Sequence, residues 1–177
     1  TPPEPPAQTN LVDQVVAVGG TARFSIAPSG TPPFIYQWTF NTTNYLTGQT
    51  NSSLVRTNAQ LGHAGTYCVV VLDSLYFTNI YCATLSVYDV PPITTQPLGV
   101  VTNGGSNVTF SVSVGGVDPL TYQWRLNGVN IPGATNSSIS ITNIQPTDGG
   151  NYGVLVANPA RVVLSTNANL RVNNTIL

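Results

Sequence analysis

The sequence predicts an all-β chain in which two β-sandwich domains of similar size follow one another. Three observations predict it: a long internal repeat, strands that alternate with period two, and turn-forming clusters spaced for short strands. The repeat is read from matched words. Tyr36-Gln37-Trp38 recurs 86 positions later as Tyr122-Gln123-Trp124, and Thr50-Asn51-Ser52-Ser53-Leu54 recurs 85 positions later as Thr135-Asn136-Ser137-Ser138-Ile139. Pro5-Pro6 recurs as Pro91-Pro92, and Leu85-Ser86-Val87 aligns with Leu170-Arg171-Val172. Repetition on this scale marks a duplicated structural unit. The boundary is expected near Asp89-Val90-Pro91-Pro92, with one domain over residues 1–89 and the other over 90–177. Paired prolines fix φ and lack N–H donors, so the junction is expected to be short and fairly stiff.

The strands follow in chain order. Phe24 and Ile26 flank a polar Ser25, the pattern of a half-buried strand. Gly104-Gly105 opens the corresponding strand of the second copy, where Val108, Phe110, Val112 and Val114 point one way and Thr109, Ser111 and Ser113 the other. Asn127-Gly128 and Asp148-Gly149-Gly150 are turns, because Gly and Asn tolerate positive φ. Such clusters recur about every 8–12 residues, as a sandwich of short strands requires. No segment sustains a 3.6-residue period, so no long helix is expected.

Composition excludes several functions. The chain has 177 residues, 41% hydrophobic and 6% charged, with Thr, Asn and Ser making up about three residues in ten. Disorder goes with high charge and low hydrophobicity, the opposite of this balance. A net charge of −1 offers no field to hold nucleic acid or an anionic membrane. The apolar runs fall far short of the roughly 18 residues of a membrane helix. All five cations are Arg, so Schiff-base and phosphate-loop lysines are excluded. Two cysteines and one histidine do not make a four-ligand structural zinc site, and neither metal nor cofactor is expected. The chain has no Met and no basic-then-apolar start, which reads as a processed or excised piece.

These residues resemble the immunoglobulin fold, its intermediate (I-set) type in particular. Trp38 and Trp124 match the buried tryptophan of strand C. Asp148-Gly149-Gly150-Asn151-Tyr152 is similar to the tyrosine corner that opens strand F, with His63-Ala64-Gly65-Thr66-Tyr67 as its first-copy counterpart. The run from Gly116 to Trp124, with Asn127-Gly128 and Gly133-Ala134-Thr135, resembles tandem repeats of secreted or surface multidomain bacterial proteins. The resemblance implies a core built on Trp38, Trp124, Tyr67 and Tyr152. The usual core cysteine positions read Ile26 and Val69 in one copy and Val112 and Val154 in the other, aliphatic pairs in place of a disulfide.

The cysteines lie elsewhere. On the implied strand F, Tyr67 and Val69 face in, so Cys68 faces out; on strand G, Ala83, Leu85 and Val87 face in, so Cys82 faces out too. Positions 68 and 82 are equidistant from residue 75, as are 67 and 83, which suits an antiparallel F–G pair. A cross-strand Cys68–Cys82 disulfide on the outer face is expected; the alternative is two free thiols. A bridge implies an oxidising, extracytoplasmic setting.

Between the cysteines, Leu75, Tyr76, Phe77, Ile80 and Tyr81 supply apolar bulk that turns usually avoid, whereas Ala157-Asn158-Pro159-Ala160-Arg161 in the second copy has nothing similar. Of these, Leu75, Tyr76, Phe77 and Tyr81 are the candidate contacts for a ligand or partner, since Tyr and Phe stack on sugars or anchor a protein. The opposing reading is that Tyr76 and Phe77 fold back over the sandwich end or the junction. His63 replaces the corner aspartate, with no nucleophile and orienting acid expected beside it. Glu4, Asp13, Asp73, Asp89, Asp118 and Asp148 are scattered, which suits neither a carboxylate pair nor calcium. Asn-x-Ser/Thr sequons at Asn41, Asn51, Asn107, Asn136 and Asn173 follow from composition. Ile176-Leu177 leads into a further domain or docks on the next copy to build a linear polymer. The expected function is a non-catalytic, extracellular or cell-surface structural or adhesive module, a spacer or building unit, with homotypic or other surface-protein partners. The alternative is a polysaccharide-binding accessory module using the aromatic hairpin.

Overall fold

The structure is a computed structural model that describes residues 10–116 and 119–173. Glu4, Pro5-Pro6, Asp118 and the tail Ile176-Leu177 lie outside the described residues, as does the end-to-end docking expected of that tail. The chain divides into two compact units, with the division between Tyr88 and Asp89. Among the described residues the secondary structure is β-strand, with two short 3₁₀ turns at Leu61–His63 and Pro146–Asp148.

Unit 1 contains β1 (Gln14–Ala17), β2 (Ala22–Ser25), β3 (Ile35–Phe40), β4 (Asn44–Tyr45), β5 (Ser53–Arg56), β6 (Gly65–Leu72) and β7 (Thr78–Tyr88). One sheet runs β1-β7-β6-β3-β4, and β2 pairs with β5 in the facing layer. β1 lies parallel to β7, whereas the central β6 runs antiparallel to both of its neighbours, β3 and β7. The alternation of residues decides which side is dry. Trp38, Tyr67, Val69, Val71, Ala83 and Leu85 turn inward to meet Phe24, Ile26 and Leu54 in one buried cluster. Phe24 stacks on Tyr67 with ring centroids 5.2 Å apart, an offset aromatic contact that adds to plain area burial.

Unit 2 repeats the plan with β8 (Ile93–Thr95), β9 (Val100–Asn103), β10 (Val108–Ser111), β11 (Ser113–Val114), β12 (Thr121–Leu126), β13 (Val129–Asn130), β14 (Ser138–Ile141), β15 (Gly150–Ala157), β16 (Val162–Leu164) and β17 (Ala168–Asn173). Its larger sheet runs β13-β12-β15-β17-β9 with β16 also on β15, while β10 pairs with β14 and β8 with β11. Phe110 stacks on Tyr152 at 4.8 Å, as Phe24 does on Tyr67. The two tryptophans are equivalent to the atom: Trp38 Nε1 donates to Asn51 O and Trp124 Nε1 to Asn136 O, both at 2.9 Å. Each buried indole therefore keeps a partner for its N–H.

The fold is two immunoglobulin-like sandwiches. Both tyrosine corners close, Tyr67 Oη donating to His63 O and Tyr152 Oη to Asp148 O. Ile26, Val69, Val112 and Val154 are buried, so aliphatic packing fills the usual disulfide position in both units. One difference between copies matters below. β7 is a continuous strand of 11 residues, whereas its counterpart breaks into β16 and β17 around Ser165. There the Ser165 hydroxyl accepts from Val154 N and donates to Thr166 O.

Candidate partner-contact surface

The β6–β7 hairpin is held by a carboxylate. Asp73 follows the last residue of β6, and its Oδ1 accepts from Leu75 N at 2.9 Å and Phe77 N at 3.0 Å, while Oδ2 accepts from Thr31 N at 3.3 Å. Asp73 N also donates to Phe77 O, and Ser74 N to Thr31 O. The loop before β3 is thus stitched to the turn. Gly30 permits this approach: its φ is +136°, and a Cβ there would stand 3.0 Å from Asp73 Oδ2 and 3.2 Å from the Phe34 ring. Burial of Asp73 raises its pKa, but the amides of Phe77, Thr31 and Leu75 outweigh that and hold it below the usual carboxylate value.

What this anchor presents is apolar. Leu75, Tyr76 and Phe77 are 60, 85 and 66% exposed. Tyr76 has φ +66°, a left-handed conformation that is a genuine outlier for a bulky residue. The backbone hydrogen bonds on either side fix it. Tyr76 and Phe77 do not fold back onto the sandwich, as one reading of the sequence had them. Tyr81 is a correction to the contact set: it pairs with Val69 on the inward side of β7 and packs, half-buried, against the core. Its position is odd-numbered like Ala83 and Leu85, so the pleat turns it in.

Cys68 and Cys82 are bonded, directly opposite one another across β6 and β7 with Cα atoms 4.1 Å apart. Both stand on the outward side of their strands, as the alternation had them, with Cys82 exposed and Cys68 buried. Cys68 is covered because β6 is central, with Thr39 on β3 and Cys82 on β7 beside it in the same row.

One row nearer the turn, the same outward side carries Val70 and Ile80, and the next row carries Ile35 and Leu72. Ile35 and Ile80 are 65 and 64% exposed; Val70 and Leu72 are half-buried. Sequence reasoning missed Ile35 and the role of Asp73, and counted Ile80 in the apolar stretch without making it a contact. Ile80 was available from parity with Cys82, and Asp at the head of a turn is the usual Asx signal.

Unit 2 is the internal contrast. Asn158 stands 85 positions after Asp73 and repeats its role, Oδ1 accepting from Ala160 N and Arg161 N. The turn it closes carries no apolar tip. The remaining polar candidates serve structure. His63 Nδ1 accepts from Gln60 N at 3.0 Å, as Asp148 Oδ2 accepts from Gln145 N at 2.8 Å, so the histidine does the work of the corner aspartate. Asp13 Oδ1 accepts from Thr84 N and Asp89 Oδ1 from Val90 N. Among the described residues no group of three His, Cys, Asp or Glu side chains is placed to hold a metal ion, and no helix is long and apolar enough to cross a membrane.

Residues 90–158 match the family model described as an immunoglobulin domain. The cell adhesion molecule DSCAML1 of Gallus gallus is 28% identical over 157 residues, covering 76% of this chain and 8% of that protein. Peroxidasin of Drosophila melanogaster is 31% identical over 142 residues, covering 75% of this chain and 9% of that protein. The chain therefore spans less than a tenth of the length of these curated relatives. Among solved structures, extracellular domains 3–5 of Drosophila OTK superpose with a TM-score of 0.74 at 20% identity, over 94% of this chain and 61% of that one. These matches are animal proteins, whereas the sequence repeats resembled bacterial ones.

Proposed function

We propose that the chain is a non-catalytic adhesive and structural module of an extracellular or surface protein, and that it meets a protein partner through the β6–β7 hairpin of unit 1. The observation that carries this reading is Tyr76: a bulky residue in the left-handed region, 85% exposed, between two further exposed apolar side chains. Such conformations cost about 1–3 kcal/mol and persist where surrounding bonds over-determine them, often at contact sites. Aromatic anchors on a pre-ordered turn lower the ordering cost of association. Unit 2, with a plain turn in the same place, serves as spacer. The parallel β1–β7 and β9–β17 pairs support the I-set assignment. A likeness to a cell adhesion molecule supports the adhesive class, and the Cys68–Cys82 bond an oxidising compartment. The absence of catalysis is supported by what His63, Asp73 and Asp148 already do: each accepts backbone N–H bonds at a turn.

Tyr76 and Phe77 are also side chains that stack on sugars, so glycans belong in the test. The experiment is binding of the purified chain to a panel of immunoglobulin-type ectodomains, including the chain itself, beside arrayed glycans. Binding to a protein member, weakened at least about tenfold in Tyr76→Ala/Phe77→Ala, is the expected result, as befits loss of two anchors. Glycan binding without protein binding, or protein binding indifferent to the double variant, would overturn the reading.

A further inference from the structure

We propose that the partner is a second copy of this chain, docked on the outer face of β3, β6 and β7 and on the hairpin tip that continues it. The inference rests on the adhesive reading above and names its partner. The face is built from Ile35, Val70, Leu72 and Ile80, with Leu75, Tyr76 and Phe77 at the adjoining turn.

Charge is the first argument. The outward positions of these strands read Ile35, Gln37 and Thr39 on β3, Thr66, Cys68, Val70 and Leu72 on β6, and Thr78, Ile80, Cys82 and Thr84 on β7, without an Asp, Glu or Arg among them. Asp73 borders the face, but its oxygens are taken by three backbone amides. Partners of different sequence usually find their register and exclude competitors through complementary charge. This face offers none. Two identical copies need only a self-complementary patch about a two-fold axis, and interfaces of that kind are the more apolar and charge-depleted class. A net charge of −1 leaves little repulsion between copies.

Area is the second argument. Leu75, Tyr76, Phe77, Ile35 and Ile80 are between 60 and 85% exposed. With aromatic side chains offering about 150–250 Å² each and aliphatic ones somewhat less, the five present roughly 700 Å² per copy. Two copies would bury about 1,400 Å², inside the range of specific, stable interfaces. Rigidity is the third. The disulfide lies one row from Val70 and Ile80, and Asp73 fixes the turn, so little side of the interface has to be ordered on contact.

Unit 2 supplies the control. The equivalent rows hold Leu155 beside Leu164 and Ala157 beside Val162, but Arg125 stands on the same side and the turn has no apolar tip. Leu164 is 54% exposed and is not assigned to the interface.

The test is sedimentation velocity of the whole 177-residue chain from about 1 µM to about 1 mM, which brackets micromolar to millimolar dissociation constants. A monomer–dimer shift is expected, moved at least about tenfold to higher concentration by Ile80→Glu, by Ile35→Glu and by Tyr76→Ala/Phe77→Ala, because each places charge in the apolar centre or removes an anchor. Leu164→Glu should leave it unchanged. Hydrogen exchange on the unaltered chain at low and high concentration needs no variant, and protection should rise with concentration in peptides containing Leu75–Ile80. A monomer throughout, or a dimer moved by Leu164→Glu and not by Ile80→Glu, would overturn the proposal. If the panel above still finds another protein bound through Tyr76 and Phe77, the adhesive reading survives and the homotypic one does not.

Discussion

Asp73 sets the shape of the hairpin, and its ionisation sets the pH range in which that shape holds. Its pKa is lowered in the fold from the ordinary value of 3.8, so the charged form is the one the fold favours. The stabilisation is fully present above the unfolded-state pKa and is lost as pH falls through the lower, folded-state value. Below that range the protonated acid is a poor acceptor for the amides of Thr31, Leu75 and Phe77, and the turn should loosen. Asn158 suggests the matching substitution, since an amide oxygen accepts two turn N–H groups in unit 2. Asp73→Asn should keep the Leu75 and Phe77 amides protected while abolishing the acid dependence. Asp73→Ala should speed their exchange about tenfold, the scale of a lost hydrogen bond. Amide resonances followed from about pH 6 to pH 2 check this, since model carboxylates titrate near 4; full protection in the Ala variant would contradict it.

The β6–β7 pair is the element on which the account turns, and its two cysteines tie it at one point. The unfolded chain with the bond intact contains a closed loop of about 15 residues, which in the chain-entropy model is worth about 3 kcal/mol. Cys68→Ala/Cys82→Ala should lower the stability of unit 1 by an amount of that order, read from hydrogen exchange of unit 1 peptides under denaturant. Unit 2 has no equivalent bond; Gly153 stands 85 positions after Cys68, and the Ser165 hydroxyl bridges β15 and the break in the following strand. Much of this element was legible. The equidistance of 68 and 82 from residue 75 is the register itself, since every β6–β7 pair from Gly65–Leu85 to Leu72–Thr78 is centred there. Parity turned Tyr67 and Val69 inward correctly, and the same parity also assigns Tyr81 to the core, where apolar character alone suggested a contact. The burial of Cys68 was not legible. It depends on β6 being central, and strand order is a non-local property that alternation does not encode.

At the scale of the molecule, duplication made the fold readable. Two copies of one pattern separate the residues the sandwich needs, such as Trp38 and Trp124 or Tyr67 and Tyr152, from those peculiar to one unit. Leu75, Tyr76 and Phe77 stand out by having no counterpart in the Asn158–Arg161 turn. The left-handed φ of Tyr76 was beyond sequence reasoning, because it is imposed by Asp73 reaching both across the turn and to Thr31, 42 residues earlier. Ile35 and Ile80 became a surface only once β3, β6 and β7 were laid side by side. The central claim is that this surface on unit 1 binds a second copy of the chain. Its most direct measurement is the clustering of beads coated with the chain. Beads carrying the unaltered chain should cluster with one another, Tyr76→Ala/Phe77→Ala beads should fail to, and Leu164→Glu beads should cluster normally. Unaltered beads that stay dispersed, or double-variant beads that cluster equally well, would contradict the account.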